Sequence, residues 1–220
     1  MDMLAIFLKE GGLFIYLILG VSAIGMAVIA DRVIALIFRY SINASLLWMK
    51  IKKALQEGDP KKAQSFVVEA KAPVARMFSA AIAKYGKSER EIQNTVDEIS
   101  LEIVPVIEKR VPFLAMMANI ATLLGLLGTI HGLIQAFQAV GNADPSQKAA
   151  LLASGISIAL YTTAFGLVVA IPLLIMYSLL QSRAHRLIDE VDEFSVKIMN
   201  LLIHSGDRRN GGKGTDTQTS

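Results

Sequence analysis

The residues of this chain best placed to do chemistry are hydroxyls, together with one imidazole, embedded in apolar sequence. Thr122, Thr129 and His131 fall within a run from Val111 to Gly141, and Ser157, Thr162 and Thr163 within another from Ala149 to Ser182. Neither run contains an Asp, Glu, Lys or Arg. In such surroundings a hydroxyl can hold a carboxylate, a water or an ion. It can equally bond a carbonyl one turn earlier on its own helix. Thr122 and Thr129 are two helical turns apart and share a side. His131, with a reference pKa of about 6.5, permits proton exchange; a neutral ring hydrogen-bonded between helices is the simpler reading.

These groups need elements of membrane length to position them. A hydrocarbon core of about 30 Å requires about 20 helical residues, and three segments meet that requirement: roughly Leu13 to Ile37, interrupted by Asp31 and Arg32, and the two uncharged runs. The first segment is read as a retained anchor, because its apolar part exceeds a signal-peptide core and Asp2 and Glu10 dilute any basic start. Gly125, Gly128 and Gly132 make a small-residue face that predicts close helix packing. The run 149–182 is about 51 Å long as a helix at 1.5 Å per residue, so part of it must project beyond the bilayer. Pro172 within it is a candidate kink.

All but two of the 22 Lys and Arg, Lys9 and Lys148, lie on one side of this three-span layout or at its boundary. The positive-inside rule makes that side cytoplasmic, with the amino terminus outside and the carboxyl terminus inside. The organisation that follows is an outer amino terminus and first span over 1–39, a cytoplasmic helical domain over 40–110, and the second span over 111–141. An outer turn, 142–148, leads to the third span, 149–182, then a cytoplasmic amphipathic helix, 183–205, and a disordered tail, 206–220. Within the cytoplasmic domain Asp59-Pro60 and Pro73 start helices, and Ser88 with Glu91 forms a capping-box pattern. Pro105 and Pro112 are expected to bend the helix entering the second span. Arg32 is expected to snorkel to the headgroups, and Asp31 to pair with a basic group of the cytoplasmic bundle. Leu187, Val191, Phe194 and Ile198 form one stripe opposite Asp189, Glu190, Asp192 and Glu193.

Several functions are disfavoured. With 53% apolar and 19% charged residues, the charges must be segregated from the spans, so the net charge of +3 reports topology rather than nucleic-acid binding. No cysteine is present, which removes disulfides, thiol catalysis and thiolate metal sites. The three histidines, 131, 185 and 204, lack ligand spacing, and no catalytic triad, paired carboxylates or phosphate loop is visible. The chain reads as a non-enzyme without cofactor or metal.

The segment Leu123-Leu124-Gly125-Leu126-Leu127-Gly128-Thr129-Ile130-His131-Gly132, followed by Phe137, resembles the second-span signature of the MotA/TolQ/ExbB proton channel family. Gly155 to Leu167, continuing through Ala170-Ile171-Pro172, resembles its third-span signature; Asp31-Arg32, the Gly58-Asp59 turn and Ala72-Pro73-Val74-Ala75-Arg76 also match. The resemblance covers nearly the whole chain up to about Gly206. It implies an all-α membrane protein with three transmembrane helices and a cytoplasmic helical bundle, assembling as a homopentameric ring in the bacterial inner membrane. It further implies two copies of an ExbD/TolR-like single-span partner bearing an intramembrane Asp, with ion flow past that Asp driving work on a third component. On this resemblance Thr129 and Thr163 occupy pore-associated positions, with Thr162, Thr122, Ser157 and His131 as further candidates for the ion pathway.

Two departures bear on that reading. Ile158 stands where many ExbB and TolQ members carry a glutamate, so any titratable carboxylate must come from the partner, and sodium stays open beside the proton as driving ion. Thr122 stands where many members have Pro, which leaves a straighter helix. A membrane scaffold with the same ring but no conduction is the alternative that Ile158 raises.

Overall fold

The computed structural model describes residues 12–40, 42–68, 72–141 and 143–211, with side chains as far as His204. Expectations that fall on 1–11, including Asp2, Lys9 and Glu10, on Asn142 and on 212–220 lie outside the described residues. Every regular element is helical: α1 (Gly12–Val33) with a π-helical extension (Ile34–Arg39), α2 (Ala44–Gln56), α3 (Pro60–Val68), α4 (Pro73–Ile82), α5 (Glu89–Glu108), α6 (Val111–Gly141) and α7 (Lys148–Gly211). Three helical stretches are long and apolar enough to cross a membrane, within Leu13–Gln56, Glu89–Gly141 and Lys148–His204. The chain divides into two compact units, one of residues up to Arg32 with Arg110–Leu180, the other of Val33–Lys109 with the residues from Gln181 onward.

The first unit consists of α1, α6 and the first half of α7. Its helices are apolar all round, as lipid requires, and their mutual contacts are marked by small residues instead of by a hydrophobic stripe. Gly25 of α1 lies so close to Leu173 of α7 that a Cβ would fall 2.6 Å from Leu173 Cδ2. At the end of α1, Asp31 bonds two arginines: Arg32 at 2.7 Å and Arg110 at 3.1 Å, both to the same carboxylate oxygen. Arg32 is only 6% exposed. Its side chain is therefore packed into the protein instead of snorkelling outward. The basic group that reaches Asp31 from elsewhere in the chain is Arg110, the last residue of the segment 40–110 from which a partner was expected.

The second unit is a bundle of capped helices around an apolar core. Asn43 caps α2 by accepting the Leu46 N–H at 3.0 Å, and Asp59 caps α3 by accepting the Lys62 N–H at 2.9 Å. Ser88 and Glu91 form a reciprocal capping box on α5. Pro60 and Pro73 are the first residues of their helices, where a missing N–H costs nothing. The core holds Ile51, Leu55, Met77, Phe78 and Ile92, and the α7 stripe Leu187, Val191, Phe194 and Ile198 is buried with them. Phe78 lies 5.9 Å from Trp48 and 5.8 Å from Phe194 by ring centroids. Partial burial raises the Glu190 carboxyl above its ordinary range, against the pull of Arg183.

Two expectations about the helices change. Pro105 lies inside α5, and the helix ends at Glu108 because Lys109 turns extended and Arg110 adopts a positive φ of 65°. Pro112 then occupies the second position of a new helix and bends nothing, since the first turn tolerates its missing N–H. The boundary expected at Gly206 falls inside α7, which continues to Gly211. One further feature has no signal in the residues: the π-helical turn Ile34–Arg39, closed by the Tyr40 N–H bonding the Ala35 carbonyl at 2.9 Å.

Candidate functional site

The polar residues of the spans gather along the antiparallel seam between α6 and α7. Small residues let the two backbones approach, and the distances an added Cβ would meet define the register. Gly125 faces Thr163 Cα at 3.2 Å and Gly166 Cα at 3.3 Å; Gly128 faces Thr162 Cγ2 at 2.2 Å; Gly132 faces Ala159 Cβ at 3.1 Å. On the other helix Gly155 faces Ala136 Cβ at 2.3 Å, and Gly166 faces the Ala121 carbonyl oxygen at 2.7 Å. Ala121, Gly125, Gly128, Gly132 and Ala136 thus form one ladder and Gly155, Ala159, Thr162 and Gly166 its complement. Sequence reasoning missed the α7 ladder. Its spacing of four, three and four residues is the helical repeat that would have shown it.

Four threonines meet four carbonyls, yet only one bond crosses between helices. Thr163 Oγ1 donates to the Gly125 carbonyl at 2.9 Å, joining α7 to α6 at the glycine. Thr162, 2% exposed, donates to Ile158 O at 3.1 Å on its own helix. Thr129 donates to Leu126 O at 2.6 Å and Thr122 to Ala118 O at 3.1 Å. The donor in each case is consumed by backbone, but a hydroxyl oxygen keeps acceptor capacity after donating its proton. Thr129 and Thr163 are half-buried, so neither is sealed in the seam.

The remaining candidates are dispersed. Ser157 and Ile158 are half-buried, while Thr122 and Pro172 are exposed, Pro172 within an uninterrupted helix. His131 is exposed and meets the Phe14 ring edge-on, centroids 5.4 Å apart, in place of a hydrogen bond between helices. Among the described residues no group of three or more His, Asp or Glu could hold a metal ion.

A helical chain with three membrane-length stretches, two of them locked by a glycine ladder and a threonine bond, defines a polytopic membrane protein. The model of the MotA/TolQ/ExbB proton channel family matches residues 69–193, and the chain belongs to that family. It is 26% identical over 185 residues to a biopolymer transport protein ExbB homolog of Methanothermobacter thermautotrophicus, covering 84% of this chain and 65% of that protein. It is 35% identical over 96 residues to the Tol-Pal system protein TolQ of Haemophilus influenzae, covering 44% of this chain and 42% of TolQ. It is 28% identical over 193 residues to the biopolymer transport protein exbB1 of Vibrio cholerae, covering 83% of this chain and 80% of that protein. The chain thus spans under two thirds of the first two relatives.

Proposed function

We propose that this chain is the ring-forming subunit of an inner-membrane motor driven by ion-motive force. In this reading a homopentamer, each copy with its amino terminus periplasmic and its helical bundle cytoplasmic, surrounds two copies of an ExbD/TolR-like single-span partner. An intramembrane Asp of the partner carries the proton, with sodium as the alternative ion, and the output is mechanical work or transport. Membership of a proton channel family supports the class of function. The observation that carries the site is the pair of half-buried hydroxyls, Thr163 bonded to Gly125 and Thr129 bonded to Leu126, each with acceptor capacity left for a protonated carboxyl, a water or an ion.

A second reading is a ring that scaffolds a complex without conducting. Ile158 favours it, since neither α6 nor the spanning part of α7 supplies a carboxylate. Both readings are tested by extracting the tagged chain with its partner in mild detergent, weighing the intact complex, and reconstituting it with a pH-sensitive dye inside the liposomes. The motor reading expects five copies with two of the partner, and proton uptake that falls when Thr129 and Thr163 are both changed to Ala while the mass is unchanged. A complex of that composition that passes neither protons nor sodium would leave only the scaffold.

A further inference from the structure

A cavity of about 760 Å³ opens in the second unit, far from the threonine seam in sequence and built from different chemistry. Its size falls in the range of small-molecule sites. Three segments wall it: Trp48, Lys52 and Leu55 on α2; Tyr85 in the turn after α4; and Lys197, Asn200 and His204 on α7. No Asp or Glu lines it.

The lining combines positive charge, unused polar groups and an apolar floor. Lys52 has no ion-pair partner among the described residues. Lys197 bonds the Glu193 carboxylate and lies 4.8 Å from the Phe194 ring centroid, which fixes its ammonium at the wall. The side chains of Gln56, Tyr85 and Asn200 make no hydrogen bond among the described residues. His204 Nδ1 lies 2.7 Å from the Asn200 carbonyl and donates to it, leaving Nε2 as the ring nitrogen open to a ligand. Leu55 is 2% exposed and supplies the floor. The Trp48 indole is backed by Phe78, stacked at 22°, so its position is set before any ligand arrives.

We propose that this cavity binds a small organic phosphate, its anionic group held by Lys52 and Lys197, its flat or apolar part against Trp48 and Leu55, and its hydroxyls met by Tyr85 and Asn200. A lipid headgroup carries the same phosphate. The soluble source is favoured because Lys197 lies 15 residues beyond Ser182, the last residue of the uncharged run, about 22 Å along a helix.

Trp48 is the sole tryptophan, so the site carries its own reporter. The full chain is placed in nanodiscs of phosphatidylcholine and titrated with ADP at constant ionic strength, exciting at the red edge of the indole band. A saturable change in Trp48 emission is expected, with Lys52→Gln weakening the apparent affinity about tenfold, the scale of one charged hydrogen bond. Lys61→Gln, an exposed lysine on α3 outside the cavity, should bind as the wild type does. Unchanged far-UV circular dichroism and thermal midpoint in Lys52→Gln would establish that the loss is local. No saturable response at millimolar ADP, or an equal loss in Lys61→Gln, would overturn the proposal. So would a Lys52-dependent response to nanodiscs containing phosphatidylglycerol without any response to ADP, which would make the ligand a lipid.

Discussion

The two units of this chain solve the same problem, joining helices, with opposite residue types. In the second unit bulky side chains make the joints: Phe78, Trp48 and Phe194 meet ring to ring, and Ile51, Leu55, Met77 and Ile92 fill in around them. In the first unit the joints are made by having almost no side chain, at Gly125, Gly128, Gly132, Gly155 and Gly166. The solvent accounts for the contrast. Water drives large apolar groups inward and rewards their area, whereas lipid is as apolar as leucine and rewards only close fit and hydrogen bonds. Leu123, Leu126, Leu127 and Phe137 of α6 accordingly remain exposed, and the buried positions between them go to glycine and alanine.

That contrast can be broken at graded cost. Phe78→Ala should have the largest effect, about 3–5 kcal/mol, because it empties the centre of the aromatic cluster. Heating the detergent-extracted protein while following Trp48 emission would record a lower midpoint, and an unchanged midpoint would remove Phe78 from the centre of that core. In the spans the opposite change should hurt. Gly128→Ala puts a Cβ 2.2 Å from Thr162 Cγ2 and should cost about 1–3 kcal/mol by overpacking. Gly20→Ala, with nothing within 4 Å, should cost none, and adding Thr162→Ala to Gly128→Ala should restore part of the loss. Thermal aggregation in detergent separates the three; equal midpoints for Gly20→Ala and Gly128→Ala would mean the ladder is not tight.

Smaller effects sharpen the picture. Ser88→Ala should cost about 1 kcal/mol by opening the capping box on α5. The Ser88 hydroxyl and amide hold the Glu91 carboxyl below its ordinary value of 4.5, so the box contributes fully above that pH and its contribution fades as pH falls through the lowered value. The difference between wild type and Ser88→Ala in thermal midpoint should therefore be constant near neutrality and narrow in acid. Thr163→Val should cost least, about 0.6 kcal/mol, the mean for a side-chain hydrogen bond between membrane helices. No loss in Thr163→Val, with Thr163→Ser destabilised instead, would point to packing of the methyl group and not to the bond to Gly125.

Much of the architecture was legible because lipid and water write different patterns. Uncharged runs announced the spans, Asp59-Pro60, Pro73 and Ser88-Glu91 announced helix starts, and the spacing of Leu187, Val191, Phe194 and Ile198 announced the buried face of α7. The α7 ladder was readable but unread, since Gly155, Ala159, Thr162 and Gly166 are inconspicuous until a partner shows which face they share. Nothing in Ile34–Arg39 announces a π turn, and Lys109-Arg110 carries no glycine to warn of a positive φ. The same holds for Arg32, whose burial beside Asp31 no local pattern announces.

By itself the sequence determined which segments must be helical, which must avoid water and where small residues permit close approach, because periodicity, length and side-chain volume are local properties. Residue type and spacing, apart from the family resemblance, could not distinguish Thr162 from Thr163. Thr162 and Thr163 are chemically identical neighbours, turned about 100° from each other by the helix, and either could have reached across. Only the packed pair of helices decided it: the rotation of α7 against Gly125 and Gly128 buries Thr162 on the Ile158 carbonyl of its own helix and hands Thr163 to the opposite helix.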